Sequence, residues 1–337
     1  MRGLAAYAMD GRARAMIIAI ASSSSLLFAW IGAAVVALVV LRKGVAEGAH
    51  LLLWASLPAT VWAWATGDST VIALMLGTGT LALVLRLSMS LTLAALGSAV
   101  VALLTGVGVA IIGDAMIDDL DRMFSEVAAA MEAQGENAAA LLPSPSKMLL
   151  AGMLGSVNGL LAFLCLALGR YWQAVLYNPG GFGEEFRALR FPPSMVLGLG
   201  ACAAALMATG IDWRSWALMP LLPLTVGGFA LLHARANRWR QSGVWMGLIY
   251  LVWLIWYPAR LALLALVLAD AMMDFRSRWD DDDDPRAGSG SGESKRGAGL
   301  VDRRDDAREG DDQHQNSNDE KRDAGLYDGR DDSDPRP

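Results

Sequence analysis

Residues 91–112 read LTLAALGSAVVALLTGVGVAII, an apolar stretch without a single charged side chain. About 20 such residues, rising 1.5 Å each, cover the roughly 30 Å hydrocarbon core of a bilayer. Comparable runs surround it at about 15–41, 49–66, 70–87, 148–169, 194–210, 215–234 and 243–272. With 54% hydrophobic residues and a mean hydropathy of +0.37, the chain reads as all-α, a polytopic transmembrane helical bundle. The lipid bilayer is its first expected partner.

Most runs fit one crossing each, but the first and last do not. Residues 15–41 would make a helix of roughly 40 Å, and Ser22–Ser25 interrupt it near the middle. Two short helices joined at the far side, or one strongly tilted helix, would accommodate that length. Arg2, Arg12 and Arg14 precede the run, and Arg42 and Lys43 follow it. Basic residues favour the cytoplasmic side, so a hairpin keeps both clusters inside. The last run is broken at Trp256–Arg260, either as a hairpin or as a kink. About 8–10 crossings are expected, some of them short or hairpin-like.

Loop charges then assign sides. Residues 1–14 form a cytoplasmic N-terminus, and residues 15–278 the transmembrane domain. The loop 113–147, with seven acids against Arg122 and Lys147, is extracytoplasmic. The loop 170–193, with Arg170, Arg187 and Arg190, is cytoplasmic. The chain is thereby expected in a bacterial inner membrane. Arg42 and Lys43 stand where a small-residue cleavage site would be needed, so the first segment reads as uncleaved.

Residues 280–337 hold 19 acids against 10 bases, a charge of −9, which leaves 15 acids and 18 bases for residues 1–279. Half-charged sequence cannot bury enough apolar surface to offset its ordering entropy, so 279–337 is expected to be a disordered acidic tail. The body's small positive excess gives no nucleic-acid footprint.

Within 113–147, Ile117, Leu120, Phe124, Val127 and Met131 recur at helical spacing between acids, which predicts an amphipathic helix. The twelve tryptophans cluster near run ends, as membrane-interface anchors do. Cys165 and Cys202 lie in apolar segments without metal-ligand spacing, and the three histidines are scattered, so no metal site is readable.

Soluble-enzyme signatures are missing. No phosphate-binding loop, dinucleotide fingerprint, HExxH or nucleophile elbow occurs, so no catalytic residue and no cofactor is assigned. Polar groups inside apolar runs are expensive and often functional. Asn158 and Ser156, on a run that also carries Gly152, Gly155 and Gly159, are candidate ligand contacts, as is Arg86. Each has a structural alternative: small and polar residues serve helix association, and Arg86 can snorkel to the surface.

The other candidate is a polar island between two apolar runs, NPGGFGEEFRALRFPP at 178–193. Asn178, Pro179, Gly180 and Gly181 are turn chemistry. Phe182, Phe186 and Leu189 follow at three- to four-residue spacing, with Glu184, Glu185, Arg187 and Arg190 around them. That pattern suits an interfacial helix with its apolar side in lipid. It equally suits a docking surface for a cytoplasmic partner, or a loop lining a substrate route. Catalysis by Glu184 or Glu185 is disfavoured, since no second group converges on them in sequence.

The island, together with Arg42-Lys43-Gly44 and LADAMMDFRSR at 268–278, resembles the YybS-like family of bacterial membrane proteins. The resemblance spans about residues 10–278. That family implies a membrane helical domain and no assigned activity. Its hydrophobic layout is distantly similar to the substrate-binding subunits of energy-coupling-factor transporters, which work with ATP-hydrolysing partners. Those subunits dock their membrane partner through small residues on an early helix, which Ala33 and Ala37 match here. The short paired helices, the interior small and polar residues and the missing ATPase motif point to a small-molecule-binding or transport subunit without its own ATPase. The alternative is a scaffold in envelope assembly or cell division, acting through membrane or cytoplasmic protein partners.

Overall fold

The structure is a computed structural model that describes residues 2–134, 145–238 and 243–275. The described residues fall within one compact unit, residues 1–281. The acidic tail expected at 279–337 lies outside them.

Among the described residues the chain forms thirteen α-helices: α1 Arg2–Met9, α2 Arg12–Ser23, α3 Ala29–Lys43, α4 Val45–Thr66, α5 Thr70–Ser88, α6 Leu91–Ile112, α7 Asp114–Ala133, α8 Lys147–Tyr177, α9 Gly181–Ala188, α10 Pro193–Ala208, α11 Leu218–Arg238, α12 Gly243–Ile255 and α13 Tyr257–Met273. A short 3₁₀ turn, Ile211–Trp213, precedes α11. The all-α bundle read from the sequence is the fold.

The run 15–41 is two helices, α2 and α3, and they pack on each other. The break has a local cause. Hydroxyls of Ser22, Ser23 and Ser24 donate back to the carbonyls of Ile18 and Ile20 at 2.7–3.0 Å, competing with the backbone ladder where the helix ends. The α3 helix occupies the centre, with every residue from Gly32 to Leu41 buried, against α2, α4, α5 and α8. A helix apolar on all sides needs cover on all sides. Gly44, at φ 112°, turns the chain from α3 into α4, and Gly67, at φ 77°, caps α4 by donating to the Ala63 carbonyl.

Among the described residues the most extensive helix contact is α6 with α8. A Cβ at Gly155 would stand 2.5 Å from the Ala102 carbonyl oxygen, and one at Gly159 2.6 Å from that of Ser98. Only glycine permits this approach, the small-residue packing that joins helices in membranes.

Among the described residues four helices, α5, α6, α8 and α11, are long and apolar enough to cross a membrane. The number rises to six if each bent pair is one span: α9 with α10 at 73°, and α12 with α13 at 113°. This is fewer than the eight to ten crossings expected from the apolar runs. The 12 residues of α2 and 15 of α3 are too short to cross on their own. At Trp256 the final run bends by more than a right angle. Arg260 holds that bend, donating to the Trp253 and Leu254 carbonyls at 3.2 and 2.7 Å.

The amphipathic segment forms α7. Ile117 is buried, Leu120, Phe124 and Met131 are half-buried, and Asp118, Asp119, Asp121 and Glu126 are exposed. Lys147 pairs with Asp114 and so ties the start of α8 to α7. At the opposite end of the bundle, Arg12 pairs with Glu47 and the Arg42 guanidinium lies 4.0 Å from the Tyr177 ring centre.

Candidate functional site

The island begins where α8 stops. Gly180, at φ 92°, supplies the left-handed turn, and α9 starts at the next residue. Its charges anchor it to neighbouring helices: Arg170 Nε lies 2.8 Å from Glu185 Oε2, with both side chains largely buried. Arg190 Nη1 donates to Asp274 Oδ1 at 2.7 Å. Beyond the helix, Leu189 and Phe191 are buried, the Phe191 ring lying against Gly227 of α11, where a Cβ would stand 2.9 Å away. Pro192 and Pro193 then open α10, as proline does at a first helical turn.

With its ends fixed, α9 forms one wall of a cavity of about 740 Å³. The other walls are α8 from Leu160 to Val175, α11 from Thr225 to His233, and Tyr250 and Trp253 of α12. The volume lies within the range of small-molecule sites, roughly 300–1,000 Å³. Phe182 and Phe186, which the sequence allowed to face lipid, line it.

Aromatic contacts build these walls. Phe182 packs edge-on to Tyr171 at 6.4 Å, and Phe186 edge-on to His233 at 5.2 Å. Phe229 stacks on Tyr250 at 4.5 Å and meets Trp253 at 5.2 Å. Such pairs contribute about 0.5–1.5 kcal/mol each beyond their burial. The polar lining groups include Glu184, Arg187, His233 and Tyr250. His233 Nδ1 lies 2.8 Å from the Phe229 carbonyl, which can only accept, so the neutral ring is protonated there. Nε2 lies 3.5 Å from the Tyr250 hydroxyl. This arrangement can orient a ligand. Among the described residues no three His, Cys, Asp or Glu side chains converge as a metal site would need.

The three candidate residues inside apolar runs lie elsewhere and do not meet. Asn158 is buried and its Nδ2 donates to Thr105 Oγ1 at 2.8 Å. Ser156 donates to the Ser215 carbonyl at 3.0 Å. Arg86 donates to the carbonyls of Val40 and Leu41 at 3.1 and 2.7 Å, capping the end of α3. All three bond one element to another, and none of them lines the large cavity. Of the island candidates, Gly180, Phe182, Glu184, Phe186 and Arg187 line it. Asn178 and Pro179 are exposed, and Glu185 and Arg190 secure the ends.

Sequence reasoning passed over Tyr171, Phe229, His233, Tyr250 and Trp253. A signal existed: Phe229 and His233 are four apart, and Tyr250 and Trp253 three apart, so each pair shares a helix face. In a membrane segment the same residues also read as interface anchors.

Compared with family models, with curated proteins and with solved structures, the chain matches none. The geometry therefore carries the functional argument by itself.

Proposed function

We propose that this is a YybS-like multi-pass protein of a bacterial inner membrane that binds a small molecule beside the island and has no ATPase of its own. The observation that carries the reading is the 740 Å³ cavity with α9 as a wall. A pocket with predominantly apolar, aromatic walls and a few polar groups at one side is the usual form of a binding site. In this reading the N-terminus and island face the cytoplasm, with α7 outside, which follows from where Arg12, Arg14, Arg42, Lys43 and Arg170 lie. Thermal unfolding of the purified full chain against a vitamin and metabolite panel tests it. A ligand at 100 times its Kd adds about 2.7 kcal/mol. Absence of any stabilising compound, lipids included, would overturn the reading.

A second reading, a scaffold in envelope assembly or cell division, draws on the outer face of the island, where Asn178 and Pro179 are exposed. Photocrosslinking from position 179 in cells tests it. Recovery of no protein partner there removes the scaffold.

A further inference from the structure

The cavity is not uniform along its length. On α8 it runs from Leu160 to Val175, about 22 Å at 1.5 Å per residue. Charged and hydrogen-bonding groups gather at the α9 end: Glu184, Arg187, His233 Nε2 and the Tyr250 hydroxyl. The opposite end is walled by Leu160, Phe163, Leu164 and Val226. Thr225, also there, spends its hydroxyl on the Leu221 carbonyl at 2.9 Å. One leaflet of a bilayer has about 15 Å of hydrocarbon under about 6 Å of headgroup. The groove has that length, and its polar and apolar ends follow that order.

Its side is open between α8 and α12. The α12 helix packs chiefly on α13, and none of its residues is buried. Over the cavity it is held through Tyr250 and Trp253 on Phe229 and through the Tyr250 hydroxyl on His233. Beside it α8 stays uncovered, with Leu164 51% exposed.

We infer that the ligand is a single-chain lipid amphiphile. It enters from the membrane between α8 and α12, with its chain along Leu160–Ala167 and its head against Glu184, Arg187 and His233. The polar groups stand at one end only, and a single apolar wall of about 22 Å on α8 leads away from them, which suits one chain and one head. This inference rests on the small-molecule reading above and narrows it from any compound to one drawn out of the bilayer.

Native mass spectrometry of the detergent-purified full chain tests it, with oleic acid, oleoyl lysophosphatidylglycerol and a panel of water-soluble vitamins as probes. Ala167→Trp fills the groove from the middle of the α8 face. Val157→Trp makes a like change at a residue that is 54% exposed and does not line the cavity. We expect one equivalent of amphiphile on the wild type and on Val157→Trp, and at least tenfold weaker binding to Ala167→Trp. Should Ala167→Trp fail to fold, dibrominated oleic acid gives a second readout. It quenches wild-type tryptophan fluorescence saturably, and Trp253→Phe removes most of that saturable part. Equal binding to all variants, or quenching indifferent to Trp253, means surface lipid only and overturns the inference. A vitamin bound where no amphiphile binds overturns the inference and leaves the small-molecule reading standing. No probe bound at all overturns both.

Discussion

The α3 and α12 helices are both strongly apolar, and the bundle treats them in opposite ways. From Gly32 to Leu41 every residue of α3 is buried, whereas no residue of α12 is. The difference lies in side-chain size. The α3 sequence AWIGAAVVALVVLRK is dominated by Ala, Val and Gly; α12, GVWMGLIYLVWLI, carries Trp, Tyr, Leu and Ile. Lipid tails are as apolar as leucine, so hydropathy does not drive one membrane helix onto another, while small residues let backbones meet. The α6–α8 contact at Gly155 and Gly159 repeats the lesson. The packed half of the protein is built from small residues and the cavity from large ones that leave gaps.

If that is right, bulk should be ruinous in one half and harmless in the other. Gly155→Leu drives a side chain into the Ala102 backbone and Gly106. It should cost about 3 kcal/mol, at the upper end of ordinary overpacking, read as a lower unfolding midpoint in detergent. Removing one member of the Arg170–Glu185 pair comes next. Arg170→Met leaves a partly buried carboxylate without its ion-pair partner and should cost about 2 kcal/mol. Adding Glu185→Gln should recover part of this, and a double-mutant cycle showing strict additivity would mean that the pair does not hold α9. A smaller effect is expected from Phe229→Leu, which removes two ring contacts worth about 1 kcal/mol. Its signature is faster hydrogen exchange in α12 with exchange in α3 unchanged. Smallest of all is Gly247→Leu, on α12 with open space around its Cα. It should stay within about 0.5 kcal/mol of wild type, and a large loss there would break the comparison.

The same contrast explains what could be read in advance. Ser22–Ser25 marked the break between α2 and α3 because hydroxyls that compete with a helix act locally. Ile117 through Met131 marked α7 because its period is a property of one segment. The turn at Asn178–Gly180 was likewise written in its own residues. The cavity was not, because it depends on which faces of α8 and α11 remain uncovered once α12 leans away. No single window of sequence holds that information. Asn158 and Ser156 drew attention as polar residues in an apolar run, and they turn out to link α8 to Thr105 and Ser215. Tyr250 and Trp253 drew none, since an aromatic ring near the end of an apolar run already had an explanation.

The α8 helix has 31 residues and no proline, about 46 Å of uninterrupted helix against a hydrocarbon core of about 30 Å. Its first turn is tied to α7 by Lys147 and Asp114, and its last turns to α9 by Arg170 and Glu185. It is therefore a lever. A tilt of about 5° over that length moves the far end by about 4 Å, more than the 2.8 Å that separates the atoms of the Arg170–Glu185 pair. Whatever moves α7 has a mechanical route to α9, the polar wall of the cavity.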